Sequence, residues 1–485
     1  MPARSGAEYL AGLRDEREVW IDGQRVADVT DDPRLGRGAR AIAALYDLQV
    51  DPASRDEMTY CSPTSGERVG LSFIEPRSPE DLVRRRKMFQ RWAERGVGMI
   101  GRSPDYLNAL LMGCAANREY FAQGGPEYGE RIVGYYEHCR ENDLCLTHAF
   151  VTPQRDRDPN AVAEEDPISL RIVDEGPEGA IVSGAQILAT LGPFADELLI
   201  LPQPSRSFTE SYSPQAIAFA VPVASPGLKL ICRESFDIGR SAYDHPLGSR
   251  FEEMDAICVF DRVLVPWERM FIKGNVTLCG GLFRQTTAYT HAIHQFLMKN
   301  LVKAELILGV GALIGHTIRV DRQARIQAML GEVVHAVETI KAFVRAAEAD
   351  AREDAGGIWI PNPDTLWTAR CYFPRVYPRL VEILQLVGSS GLMAIPSEAT
   401  IESEIGPEIE KFLQSATLGG KERIRLFRLA WDIACSSFGT RQVLYERFFA
   451  GDLYRNDIGR YLNYDKSRAI ALVKGLLGTV AGPVR

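Results

Sequence analysis

The chain has 485 residues, of which 46% are hydrophobic and 25% charged, and its net charge is −8. That balance belongs to an ordinary globular protein of two or three domains, and its sign argues against nucleic acid as a bulk electrostatic partner. No stretch reaches the roughly 18 uninterrupted apolar residues that a spanning helix needs, since the longest candidate, Leu306 to Val320, is broken by glycines, His316 and Arg319.

In chain order, Met1-Pro2-Ala3-Arg4-Ser5 leads into no apolar signal-peptide core. Apolar positions recur at helical spacing over 6–17, 79–95 and 105–123. Pro104 suits the first turn of the third helix, with Ser103 as its cap. The basic run Arg84-Arg85-Arg86-Lys87 follows Glu80 and Asp81 and predicts a solvated helix face. Between about 145 and 275 short apolar runs alternate with Pro and Gly at strand-like intervals, as in Ala216-Ile217-Ala218-Phe219-Ala220-Val221. Helical texture returns over 286–320, 324–351, 364–390 and 421–449. The expected division is therefore a helical domain over 1–144, a β-barrel domain over 145–278 and a helical bundle over 279–485. The nine cysteines are odd in number and scattered, which predicts reduced, packed thiols in a cytoplasmic protein.

Three residues carry candidate chemistry. Gly101-Arg102-Ser103-Pro104-Asp105-Tyr106 and Thr147-His148-Ala149-Phe150 supply a cation, a phenol and an imidazole. Arg102 and Tyr106 are four apart at a helix start, so both can reach one pocket. An arginine can hold an anionic or phenolic substrate, a tyrosine can hydrogen-bond the reacting hydroxyl, and a histidine can titrate near neutral pH. By residue type alone the three also fit a salt bridge, a core aromatic and a satisfied strand histidine.

A metal is not expected, because none of the seven histidines stands in an H-E-x-x-H or H-x-x-E-H pattern. His291 and His294 are three apart with no acidic partner facing them in sequence. A nicotinamide site is not expected either. Gly309-Val310-Gly311-Ala312-Leu313-Ile314-Gly315 departs from the dinucleotide fingerprint and lies inside a helical run, where close helix packing explains it.

The order and wording of several segments resemble the reduced-flavin-dependent two-component phenol ortho-hydroxylases, the 4-hydroxyphenylacetate 3-hydroxylase and chlorophenol monooxygenase family. The matching segments are Gly6-Ala7-Glu8-Tyr9-Leu10, Val19-Trp20-Ile21-Asp22-Gly23, the two boxes above, Tyr243-Asp244-His245-Pro246-Leu247-Gly248-Ser249-Arg250-Phe251, Val263-Leu264-Val265-Pro266-Trp267-Glu268, Trp431-Asp432 and Phe438-Gly439-Thr440-Arg441. The resemblance implies an α+β, acyl-CoA dehydrogenase-like fold in a homotetramer. It implies FAD taken up as FADH2 from a separate flavin reductase, and ortho-hydroxylation of a phenol by O2 through a flavin C4a-hydroperoxide. A halophenol or nitrophenol monooxygenase that expels the substituent remains open.

The resemblance makes Arg102, Tyr106 and His148 the catalytic set, with Ser103, Pro104, Asp105, Ser205 and Arg206 beside the substrate. Flavin contacts are implied at His148, Ala149, Phe150, Gln154, Arg155, Asp156, Arg157, Thr190, Phe449, Gly451 and Asp452, with the Thr190 hydroxyl near flavin N5. Arg206, in the expected closing loop Pro204 to Thr209, implies a larger or acidic substrate. A 4-hydroxybutyryl-CoA dehydratase-like lyase shares this fold but needs an iron–sulfur cluster, and neither Gly96 to Ile100 nor the helix after His294 supplies a cysteine.

Overall fold

The computed structural model describes residues 3–153, 168–202 and 210–478. The N-terminal part contains α1 (Gly6–Gly12), β1 (Glu18–Ile21), β2 (Gln24–Arg25), α2 (Gly36–Val50), α3 (Arg55–Met58), β3 (Thr59–Cys61), β4 (Arg68–Gly70), α4 (Pro79–Arg95), α5 (Pro104–Ala116), α6 (Arg118–Ala122) and α7 (Pro126–Glu141). The middle part contains β5 (Leu146–Ala149), β6 (Arg171–Glu175), β7 (Gly179–Thr190), β8 (Glu197–Ile200), β9 (Ile217–Pro222), β10 (Leu228–Cys232), β11 (Asp255–Pro266) and β12 (Met270–Lys273). There follow α8 (Val276–Gln285), α9 (Ala288–Thr317), α10 (Ala324–Ala349), β13 (Arg352–Glu353), β14 (Trp359–Ile360) and α11 (Pro363–Gly388). The chain ends with α12 (Glu398–Ile401), α13 (Gly406–Phe412), α14 (Gly420–Ala434), α15 (Ser437–Phe448), α16 (Leu453–Asn463) and α17 (Ser467–Leu476).

The strands of the middle part form two sheets, in the orders β2-β1-β10-β11-β7-β6 and β12-β9-β8-β5. β1 lies parallel to β10 and β5 parallel to β8, whereas the other neighbours are antiparallel. The expected boundary at residue 144 thus separates strands that pair with each other. β1 comes from the stretch that follows the first helical repeat, and its buried Val19 and Ile21 need the sheet to cover them. β5 and β8 are buried at every position; β5 packs against α5 and β7, and β8 lies inside its sheet between β5 and β9. Strands covered on both faces lose the alternation that marks a half-exposed strand.

α9 is buried on nearly every side from Ala288 to Ala304, with α4, α5, α10, α11 and α14 packed around it. A helix covered all round must satisfy its polar side chains inside the protein. Lys299 and Lys303 do so on one carboxylate, Glu446 of α15, which is itself fully buried. Lys299 Nζ reaches the two Glu446 oxygens at 2.6 and 2.8 Å, and Lys303 Nζ reaches Gln442 Oε1 at 2.8 Å. Gly311 of the glycine run faces Leu330 of α10, so close helix packing accounts for that position.

Three expectations need correction. The repeat over 421–449 is two helices, since Ser436 caps a new one by accepting the Gly439 N–H. The repeat over 105–123 breaks at Asn117, where the side chain turns back to the Gly113 carbonyl. The basic run is not a solvated face throughout. Arg84 and Lys87 are exposed, but Arg85 is fully buried against His291 Nδ1 at 3.0 Å, and Arg86 pairs with Glu348. Glu348, far away in sequence on α10, is also the acidic partner of His294 at 3.1 Å.

Replacing Glu446 with Gln leaves two buried lysines without an anion. The expected loss is about 3–5 kcal/mol, read as a lowered denaturation midpoint beside an otherwise native circular dichroism spectrum.

Candidate active site

The Arg102 loop reaches its place through two glycines. A Cβ on Gly98, whose φ is +73°, would stand 2.7 Å from the Lys303 backbone nitrogen. A Cβ on Gly101 would collide with the Tyr445 ring. Without side chains at these positions the loop lies directly between α9 and α15. Pro104 then starts α5 as expected. Ser103 does not cap it: its side chain makes no capping bond and instead receives Gln295 Nε2 at 3.3 Å, while its carbonyl accepts from the Tyr106 N–H. Burial draws the hydroxyl toward the polar neighbour on α9.

Arg102, Tyr106 and His148 come together and are all buried. The Arg102 backbone N–H donates to the Glu253 carboxylate, and its Nη2 donates to the Phe449 carbonyl at 3.1 Å. Its guanidinium carbon lies 4.2 Å from the centre of the Tyr106 ring, a cation–π distance. The Tyr106 ring meets His148 edge to face at 5.9 Å. Burial holds the Tyr106 hydroxyl above the usual phenol range, with the Arg102 charge opposing it. Burial, and then Arg102, push His148 far below the usual imidazole range. The expectation that His148 titrates near neutral pH is therefore corrected: it stays neutral there, because a second cation beside Arg102 in a dry site is unfavourable. Arg102 Nη1 and His148 Nε2 are both buried and without a hydrogen-bond partner among the described residues.

From Arg102 a chain of charge runs to Thr190. Glu253 accepts from Arg441 Nη1 at 2.7 Å. Arg441 Nε and Nη2 hold Asp255 at 3.0 and 2.7 Å, and Arg233 Nε holds it at 2.9 Å. Burial alone would raise the Asp255 pKa, but Arg441 and Arg233 outweigh it and bring it down to about 2. The Thr190 hydroxyl donates to Asp255 at 2.7 Å, and its carbonyl accepts from Thr147 at 2.7 Å, next to His148. Leu188 and Leu191 bracket Thr190 with φ of 68° and 66°. A left-handed non-glycine residue costs about 1–2 kcal/mol, and such strain is characteristic of functional sites.

A second path leaves His148 through aromatic rings. Phe150 lies 4.7 Å from His148, Phe283 6.3 Å from Phe150, and Tyr289 5.7 Å from Phe283. It ends at Arg370, whose guanidinium carbon stands 4.7 Å from the centres of both Tyr289 and Trp367. Arg370 Nη2 donates to the Ala450 carbonyl, beside the Phe449 carbonyl that Arg102 holds. The Phe449 ring is stacked on Tyr445 at 5.0 Å.

Of the other expected residues, Ala149 is buried on β5 and Asp105 is buried in the first turn of α5. Gly451 and Asp452 are exposed, and the Asp452 carboxylate is used to cap α16. Gln154, Arg155, Asp156, Arg157, Ser205 and Arg206 lie outside the described residues. Glu253, Asp255, Arg370, Arg441 and Tyr445 were not among the expected site residues. Arg441 closes the Phe438-Gly439-Thr440-Arg441 segment, and Glu253 and Asp255 follow Arg250-Phe251, so both segments held an unused signal.

An N-terminal helical part, two sheets and a C-terminal helical part surround a buried cation, phenol and imidazole, a mixed helix and sheet architecture shared with solved oxygenase components complexed with FAD. The chain matches the family described as 4-hydroxyphenylacetate 3-hydroxylase N terminal over residues 5–272 and that described as 4-hydroxyphenylacetate 3-hydroxylase C terminal over residues 279–478. It belongs to the 4-hydroxyphenylacetate 3-hydroxylase family. It is 44% identical to the 4-hydroxyphenylacetate 3-monooxygenase oxygenase component of Thermus thermophilus, covering 96% of this chain and 95% of that one. It is 43% identical to the corresponding component of a Geobacillus species, covering 96% and 94%. A crystal structure of such an oxygenase component, complexed with FAD and 4-hydroxyphenylacetate, superposes with a TM-score of 0.93 at 43% identity over 98% of both chains. An archaeal 4-hydroxybutyryl-CoA dehydratase shares the fold, with a TM-score of 0.89 at 21% identity over 100% of this chain and 96% of that one.

Asp105 offers a test of how dry the site is. Burial raises its carboxyl from 3.8 to about 6, with Ser103 and Gln295 opposing. The folded chain then binds the proton more tightly than the unfolded one, so this contribution to stability is full below pH 3.8 and lost as pH rises through about 6. Asp105→Asn is expected to flatten the melting temperature over that window and to raise it relative to the parent above pH 6.

Proposed function

We propose that the protein is the oxygenase half of a two-component monooxygenase, which takes reduced FAD from a separate flavin reductase and hydroxylates a phenol ortho to its hydroxyl with O2. The observation that carries this is the meeting of Arg102, Tyr106 and His148 with Arg102 Nη1 and His148 Nε2 buried and unpartnered. Buried polar atoms left without partners are costly, and a ligand oxygen placed between them removes the cost. The same unpartnered atoms, the Tyr445–Phe449 shelf and the strained turn around Thr190 fit a flat, polar-edged cofactor. When bound, reduced FAD supplies the oxygen activation that side chains lack.

The residues prepare the phenol. Arg102 lowers the pKa of a neighbouring phenol by charge, and a phenolate ring carbon is the better nucleophile. The Tyr106 hydroxyl hydrogen-bonds the same oxygen. Neutral His148 offers an unprotonated ring nitrogen as a hydrogen-bond acceptor without becoming a second cation beside Arg102, and the buried setting excludes water. The substrate class is a 4-hydroxyphenylacetate-like or tyrosine-derived phenol; the names of the relatives at 43–44% identity support the first, and that of a 34% identical monooxygenase acting on a carrier-bound amino(chlorohydroxyphenyl)propanoyl group supports the second. Association of copies, a homotetramer in the family reading, is consistent with α16 and α17, which bury no residue of their own and expose Tyr454, Tyr461, Leu462, Leu472 and Leu476. A reducing, cytoplasmic setting is supported by nine cysteines that form no disulfide. No helix among the described residues is long and apolar enough to cross a membrane.

The test is to load the protein anaerobically with reduced FAD, add oxygenated buffer with a panel of phenols, and quantify catechol and hydrogen peroxide. Catechol from one phenol class is the expected result, whereas hydrogen peroxide alone with every phenol would reject the reading. In His148→Ala the catechol formed per O2 is expected to fall about tenfold, the scale of one lost hydrogen bond. Because His148 is neutral, the parent protein should show no step in that yield near pH 6.5.

A further inference from the structure

Buried arginines normally come with a carboxylate. Arg17 is held by Asp15 and Arg140 by Glu141, each at 2.7 Å. Arg370 is also buried but has no carboxylate partner among the described residues. Asp364, the nearest acid before it in sequence, pairs with Arg460, and Asp457 of the packed α16 pairs with Arg375. Its Nη2 is spent on the Ala450 carbonyl, and its Nε is buried without a partner. The faces of Tyr289 and Trp367 stabilise the charge only partly.

Its position ties this cation to the pocket already described. Arg102 and Arg370 hold the consecutive carbonyls of Phe449 and Ala450, at the end of α15. The charges of both act on the Tyr106 hydroxyl. Two guanidiniums without side-chain carboxylates thus bear on one pocket, and only one of them is needed for a phenolate oxygen.

We propose that Arg370 is a second anion-binding residue, which takes a carboxylate or phosphate oxygen of a ligand while Arg102 takes the phenol oxygen. This rests on the monooxygenase reading above and extends it: one of the molecules in the site carries an anionic group away from the reacting hydroxyl. Two sources share that chemistry, a carboxylate on the phenol's side chain and the diphosphate of FAD.

Paired probes separate them in the full-length protein and its Arg370→Met and Arg370→Lys variants. The phenols are 4-hydroxyphenylacetate and uncharged 4-methylphenol. The flavins are FAD and riboflavin, both reduced and anaerobic. Dissociation constants are measured by titration, with melting temperatures to show that each variant folds. Arg370→Met is expected to weaken the charged member of one pair about tenfold or more, the scale of a lost charge-assisted hydrogen bond. The uncharged member should stay within about twofold, and Arg370→Lys should recover part of the loss. Loss confined to 4-hydroxyphenylacetate identifies the substrate carboxylate, and loss confined to FAD identifies the diphosphate. Equal weakening of charged and uncharged probes, or no weakening of any, would overturn the proposal. Failure of the parent protein to take up either reduced flavin or any phenol would instead overturn the monooxygenase reading.

Discussion

Helix α15 is pinned by buried charge on two faces, and the site is built on what this leaves in place. Gln442 and Glu446, four apart, turn toward α9 and engage Lys299 and Lys303. Arg441, Tyr445 and Phe449, also four apart, turn toward the Arg102 loop and the strands. Removing water from so many charges is costly, and the cost is offset only if each finds its partner. The geometry that satisfies Glu446 and Arg441 together therefore leaves α15 little freedom to slide or rotate. Gly101 and Gly98 are the complementary constraint, since any side chain there would push the Arg102 loop off α15 or α9.

The same helix links three parts of the chain. Through Glu253 and Asp255 its Arg441 fixes the backbone of Arg102 on one side and the hydroxyl of Thr190 on the other. Through the Phe449 and Ala450 carbonyls its C-terminal end, where the helix dipole is negative, receives Arg102 and Arg370. One helix thus ties the Arg102 loop to the strained end of β7. The electrostatics follow from the same packing. Cations outnumber anions around Tyr106, and a dry surround keeps His148 neutral, so the pocket favours an anionic oxygen without adding a second titrating cation.

Legibility from sequence varied with how local the cause was. α4 begins and ends where its apolar spacing predicts, because Ser78, Pro79 and Gly96 carry the stop and start signals in the adjacent sequence. Pro104 marked the start of α5 for the same reason. Arg85 was misread because its polar context in sequence says nothing about α9 closing over it with His291. The break between α14 and α15 hinged on Ser436, while Asp432 near the end of α14 accepts the Leu247 and Gly248 N–H groups, partnerships across 185 and 184 residues. His148 was placed correctly at the start of the strand region, but its protonation depends on Arg102 and on burial, neither of which spacing reveals.

The family and the order of helical and strand regions were legible in the residues alone, because motif wording and local periodicity are properties of neighbouring residues; Arg102, Tyr106 and His148, singled out from the same motifs, lie side by side in the fold. Only the tertiary structure decided which charges are paired. Glu446 with Lys299, Arg441 with Glu253, and Arg370 with no acid among the described residues are outcomes of packing between distant segments. Burial strengthens each such pairing or its absence, and burial is a property of the assembled core.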